Sequence, residues 1–412
     1  MSAFLSFLQL NLAVLFSLFL PGWIILSLFF KKENFSWLAR LVLSAGLSLF
    51  LTNFFFIFLD RWGMAFSESW KIFVAINGLL LLFIFLQKRK TKKVEQKIPE
   101  FFPNNWNRIF WIILLTAVIF RVFYLAEKVI PSSTDLGHHM YWSKSILESD
   151  RLPNYGMPDF IIGEHIFFAL VSGLSQWDLI SALPMSLLFI FNLLSLLAFF
   201  LLARQAASWA KENHAEPLAL LALLIGGVFY SFSSPQATFV SGGVIGNILG
   251  NFFIPLILFC LLKAFREKSP AAAVLAVGLS AALVYTHHLS SYILLFILLF
   301  FFAFLILNDL LVFLFPKKSE GKFLLFSAAL GKTFFSPKVM AAIALFVSFI
   351  FLVQPPSYLN KSAIDVAVGE PSKETRTGYD WSALQQTLGD WRALTGLIGA
   401  GVIFVFLIFS LS

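Results

Sequence analysis

Asp135, His138 and His139 stand at i, i+3 and i+4 in the segment STDLGHHMYWSKSILESDRLPNYG, residues 133–156. On a helix that spacing puts all three on one face. A carboxylate beside imidazoles serves as a general base, or binds a divalent metal through oxygen and nitrogen. The same residues have a plainer reading. Thr134 or Asp135 caps an interfacial helix, and Tyr141 and Trp142 are its interfacial aromatics.

Two further groups have the same character. Gly163-Glu164-His165 offers another carboxylate and imidazole, or else a helix start whose acid complements the helix dipole. The stretch YTHHLSSY, residues 285–292, sets His287 beside His288 at a break between two apolar runs. Adjacent imidazoles there bind phosphate or metal, or simply occupy a wet turn. The small residues of GGVIGNILGN, 242–251, favour close helix packing. They are not a phosphate loop, because no lysine follows and no strand precedes. Lys361, Lys373, Arg376 and Tyr379 lie in the long polar stretch after Gln354. A loop of that length is disordered or a functional lid, and its cations suit an anionic ligand such as a lipid phosphate.

The elements that hold these residues are set by composition. Of 412 residues, 59 % are hydrophobic and 13 % charged, with 52 Phe and 11 Trp, and the mean hydropathy is +0.85. A soluble fold of this size needs more polar skin than that. The chain therefore reads as an all-α polytopic membrane protein, with soluble enzymes and nucleic-acid binders excluded. The apolar runs are continuous rather than alternating, which also excludes a β-barrel. The single cysteine, Cys260, rules out an intramolecular disulfide and a cysteine metal cluster.

A crossing helix needs about 20 apolar residues. Such runs lie near 3–30, 36–59, 69–87, 108–127, 178–203, 217–234, 243–265, 270–287, 289–315, 338–354 and 391–411, which predicts about 11 transmembrane helices. Alternate connections, from Lys31 through the run Lys88–Lys97 to Lys317–Lys338, hold 20 of the 30 basic residues and 8 of the 22 acidic ones and mark the cytoplasmic side. The N-terminus is then outside and the C-terminus cytoplasmic. Outer loops fall at 128–177 and 355–390. Within the first, the apolar piece 160–175 reads as a re-entrant or interfacial juxtamembrane helix, because a crossing there would invert every later basic loop. Of the six histidines, all but His214 fall on the outer side. The chain divides into a three-helix extension (1–87), a basic linker (88–107) and a core (108–412).

From Arg121 to Glu164 and onward, RVFYLAEKVIPSSTDLGHHMYWSKSILESDRLPNYG followed by GEHIFFALVSGLSQW resembles the opening module of the GT-C superfamily of membrane glycosyltransferases. That superfamily includes oligosaccharyltransferase catalytic subunits, protein O-mannosyltransferases and the lipid A aminoarabinose transferase. The resemblance covers about residues 108–290. It implies a GT-C-like fold and a polyprenyl-phosphate sugar donor. The implied acceptor is a glycan, lipid or protein, the setting is the cell membrane with its lipids, and no nucleic acid is involved. It makes Asp135 the acidic residue of the first outer loop that contacts the acceptor or acts as catalytic base, with Arg121 and Glu164 at other family positions. His138, His139, Tyr141, His287, His288, Lys361, Arg376 and Tyr379 become substrate contacts. A divalent metal, if used, would sit on Glu164, His165 and His138. The chain departs from the family in its histidine pair, in its three leading spans and in lacking a WWDYG-type acceptor motif. The competing reading is a transporter or flippase for a lipid-linked or small anionic substrate. Against it, no inverted repeat is visible and few charges lie at mid-span. A non-catalytic assembly scaffold is a third reading, and it leaves the clustering of histidines unexplained.

Overall fold

Pro21 decides the shape of the first element. It donates no hydrogen bond to Ser17 and its ring crowds that carbonyl, so the run breaks into α1 (Ala3–Leu18) and α2 (Leu20–Phe29). The expected single helix over 3–30 is thus bent. Gly22 lies against the Ser44 backbone, where a Cβ would collide, and its N–H donates to Ser48 Oγ at 2.9 Å. Small residues at a helix contact let backbones approach in this way. The partner is α3 (Trp37–Arg61), capped by Ser36, whose side chain accepts from the Ala39 N–H.

A computed structural model of the chain describes residues 3–90, 104–125, 135–153, 162–210, 215–229, 240, 243–314 and 333–356. Every regular element among them is helical. After α3 come α4 (Phe66–Lys90), α5 (Asn104–Leu125), α6 (Asp135–Ser149), α7 (Gly163–Ser175) and α8 (Leu183–Ala210). There follow α9 (Ala215–Leu224), which runs into a π-helical turn (Ile225–Phe229), then α10 (Ile245–Glu267), α11 (Pro270–Thr286), α12 (His288–Leu314) and α13 (Pro337–Leu352). Five stretches are long and apolar enough to cross a membrane: Phe4–Phe29, Trp37–Arg61, Phe66–Gln87, Leu183–Ser208 and Ile245–Glu267. Shorter apolar helices include Ala215–Phe229, Pro270–Thr286, His288–Ala303 and Pro337–Leu352. These helices fit a membrane-embedded protein. Large apolar side chains face outward on several of them, among them Leu79 on α4, Phe300 on α12 and Leu352 on α13.

At the centre, α8 packs along α10. Phe167, Phe191 and Phe252 form a buried chain, with ring centroids 5.5 Å and 6.4 Å apart. In lipid no hydrophobic driving force separates helix from tail, so dispersion and ring geometry hold this contact, at about 0.5–1.5 kcal/mol per aromatic pair. The leading helices join the same body, with α1 and α3 on α7 and α3 also on α11.

Helix α7 follows the apolar piece 160–175 but begins at Gly163. At 1.5 Å per residue it spans about 20 Å, too short to cross a core of about 30 Å. Every residue from Gly163 to Ser172 is buried. An interfacial helix would leave one face open, whereas this one is enclosed by α1, α3 and α6.

The far end of α6 is pinned as well. Asp150 takes a left-handed φ of 56°. Its carboxylate accepts from Ser67 N at 2.6 Å and Ser67 Oγ at 2.8 Å, and its carbonyl accepts from Phe66 N at 2.9 Å. Asp150 therefore caps the start of α4 from another part of the chain. Asp60 returns the clamp by accepting from Leu152 N at 3.0 Å.

Candidate functional site

Gly163 seats α7 at a three-way junction. A Cβ there would collide with the Asn53 amide and with the Tyr285 carbonyl. Asn53 in turn donates to Thr286 Oγ1 at 3.4 Å, so α3, the start of α7 and the end of α11 meet at one place. The Asn53 carbonyl oxygen is buried and accepts no hydrogen bond among the described residues.

The next two residues of α7 are Glu164 and His165, both with fully buried side chains. Helix α6 lies across them and supplies His139. His139 Nδ1 is 2.5 Å from Glu164 Oε1 and 2.9 Å from His165 Nε2, and the last two atoms are 3.6 Å apart. Burial, reinforced by the neighbouring His139 and His138, holds His165 well below the ordinary histidine value. It is therefore neutral, the form in which imidazole ligates a metal or accepts a proton.

His287 ends α11 in an extended conformation and caps α12. Its Nδ1 meets Ser290 Oγ at 2.6 Å and accepts from Ser290 N at 3.3 Å. Acceptance at Nδ1 leaves the neutral ring's N–H on Nε2. Gly246 and Gly250 on α10 make the room: a Cβ on the first would strike the His287 ring, and on the second the Ser290 hydroxyl. His139 lies near enough to act electrostatically on His287, and the His287 and His288 rings are 5.5 Å apart. The helix break thus borders the α6–α7 cluster.

The remaining expected site residues are placed as follows. Asp135 is the first residue of α6. His138 points away from His139 toward Trp142, and its Nε2 accepts from Trp142 Nε1 at 3.4 Å. Successive helical residues point about 100° apart, so only one of the pair faces α7, and the group that could hold a metal contains His139 in place of His138. Tyr141 is exposed on α6 beside Trp142, as an interfacial aromatic would be. Arg121 is buried and donates to Asn192 Oδ1 at 2.6 Å, Gly227 O at 2.7 Å and Ala117 O at 3.1 Å. It ties α5 to α8 and to the π-helical turn. Lys361, Arg376 and Tyr379 lie outside the described residues.

Two cavities lie at different levels of the bundle. An apolar groove of about 380 Å³ runs between α3, α11 and α13, lined by Phe50, Phe54, Gly278, Phe346 and Phe349. Phe54 and Phe349 both meet the Tyr285 ring edge-on, and the Tyr285 hydroxyl donates to the Gln354 carbonyl. The groove therefore leads toward the Tyr285–Thr286–His287 turn. A second cavity of about 510 Å³ carries Arg204, Lys263 and Arg266 against Glu216 and Glu267. Along α10, Lys263 is roughly 25 Å from Gly246 at 1.5 Å per residue, so the imidazoles and the basic cluster mark opposite ends of the bundle. The basic end is partly neutralised, by Lys263–Glu267 at 2.6 Å and Arg204–Glu216 at 3.2 Å.

Sequence reasoning did not single out Asn53, Ser290 or the pairing of Gly246 with His287. Their signal is the buried polar stripe of α3 and the four-residue glycine spacing of α10, and each reads as ordinary helix packing until the partner helix is known. Together the fold and the cluster define a membrane-embedded helical protein with a buried imidazole–carboxylate centre at one end. Comparison with known protein families, with curated proteins and with solved structures finds no match.

Proposed function

We propose that this protein is an integral membrane glycosyltransferase of the GT-C type. It moves a sugar from a polyprenyl-phosphate donor to a glycan, lipid or protein acceptor on the extracytoplasmic face of the cell membrane. The observation that carries the reading is the meeting of two unlike surfaces at one end of the bundle. The His139–Glu164–His165 cluster and the His287 turn supply polar, proton-handling groups. The groove between α3, α11 and α13 supplies an apolar bed that ends beside that turn.

A lipid-linked sugar needs both. Its tail stays among apolar side chains, and its phosphate and sugar reach polar groups at the membrane boundary. Asp135, opening α6, is the base that takes the acceptor proton while the lipid phosphate leaves the anomeric carbon. About 11 crossings, with the N-terminus outside and the C-terminus in the cytoplasm, complete the proposed topology. In that topology the basic end of α8 and α10 faces the cytoplasm, as the positive-inside rule asks.

The test combines turnover with sidedness. Purified protein in liposomes is given a labelled polyprenyl-phosphate sugar and candidate acceptors. Single cysteines at 138 and 289 are then labelled from each side after Cys260 is replaced. Transfer with labelling from the outer side alone is expected. Labelling from both sides would favour a transporter and would sink the transferase reading.

A further inference from the structure

We infer that His139, Glu164 and His165 form a binding site for one divalent cation of the zinc class. Each residue offers one ligand atom, and the three atoms lie within 4.8 Å of one another. Their separations of 2.5, 2.9 and 3.6 Å bring three lone-pair-bearing atoms together. A neutral imidazole carries a single N–H. At His139 Nδ1 it is at best shared, poorly aligned, between Glu164 Oε1 and His165 Nε2. A cation at the centre of the triangle is attractive to all three.

The donor set also chooses the metal. Two imidazole nitrogens and one carboxylate oxygen suit zinc, cobalt or ferrous iron, while magnesium and calcium prefer oxygen shells. Zinc holds such ligands at about 2.0–2.2 Å. Tetrahedral spacing then asks the three atoms to stand about 3.3–3.6 Å apart, so two of the separations open by about 0.4–1.1 Å. Three protein ligands leave one position free, the pattern of a catalytic rather than a structural ion. The exposures agree, because the side chains of Glu164 and His165 are 0 % exposed and that of His139 is 17 %. Two ligands are thus fixed on an enclosed helix, and the third stands at the opening. Ion binding does not depend on the transferase reading. Use of the free position by a donor phosphate oxygen does rest on it.

The experiment uses the full chain, stripped of metal in detergent, with neither lipid donor nor acceptor present, so failure of the transferase reading leaves its result unchanged. Titration with Co²⁺ is expected to saturate at one ion per chain. Visible d–d absorption of a nitrogen–oxygen site should appear, and Zn²⁺ should displace it. Glu164→Gln and His165→Gln should weaken binding by more than about 100-fold, beyond the 10–100-fold that an outer-shell partner supplies. His138→Gln should leave it within about threefold, since that ring faces Trp142. Failure of the folded wild type to saturate at micromolar Co²⁺ would overturn the site. So would wild-type binding by Glu164→Gln and His165→Gln, or an equal loss in His138→Gln.

Discussion

His139 Nδ1 and Glu164 Oε1 stand 2.5 Å apart, although they lie 25 positions apart in the chain, on two successive helices. The pair joins α6 to the enclosed α7 and gives that end of the bundle a polar centre. The cost of ionisable groups at such depth makes them functional markers, and the consequences extend to residues that never touch the cluster.

Asp135→Asn is expected to lower sugar transfer by about 10²–10⁴-fold, the usual worth of a general base. The exchange is nearly isosteric, so the elution profile and melting temperature in detergent should match the parent. Turnover close to that of the parent would remove Asp135 from the catalytic role.

Gly163→Ala should destabilise the protein by about 1–3 kcal/mol, because a methyl group there overpacks the junction with Asn53 and Tyr285. Gly78→Ala is the matched control. It lies in the interior of α4 with nothing near its added Cβ, so helix propensity should raise stability by up to about 1 kcal/mol. Thermal unfolding of both variants in the same detergent checks the pair, and equal shifts would contradict the packing described at α7.

Arg121→Met should lower stability together with activity. Asn192 and the Gly227 carbonyl would lose their donor, at about 1–3 kcal/mol for each buried acceptor left without one. A variant that melted like the parent and changed only the donor KM would show instead that Arg121 acts on substrate.

Gly278→Leu should act on the lipid tail. The added side chain meets nothing within 4 Å at its Cβ, and it projects from the wall of the apolar groove. The fold should tolerate it, while KM for a long-chain polyprenyl donor rises several-fold and KM for a short-chain analogue stays near the parent value. Equal effects on both donors would mean that the tail lies elsewhere.

Much of the fold is legible in the sequence because composition and run length carry it. The apolar stretches that became α3, α4, α8 and α10 announce themselves, since lipid demands continuous hydrophobicity and a closed backbone. Helix α7 is harder. Its 13 residues are apolar, and its shortness, the charge of the later loops and Glu164 and His165 at one end are what set it apart from a crossing. The cluster was half visible. Periodicity places Asp135, His138 and His139 on one face of a helix, but the choice between the two histidines depends on which edge of that face meets α7, and that angle is a tertiary fact. Arg121 shows the opposite case. A basic residue near the end of a span reads as a ligand contact, and the structure gives its guanidinium to Asn192 and two carbonyls.

The Asp150 and Asp60 clamp bears on how the gene can be divided. Residues 1–87 look like an appendage placed before a basic linker, yet the turn between α3 and α4 and the far end of α6 hold each other by mutual capping. A chain begun after the linker would leave α6 tethered at one end only, the end that carries His139. Expressing the two parts as separate polypeptides should restore the protein where either alone does not, because the joint between them is made of hydrogen bonds rather than of peptide continuity.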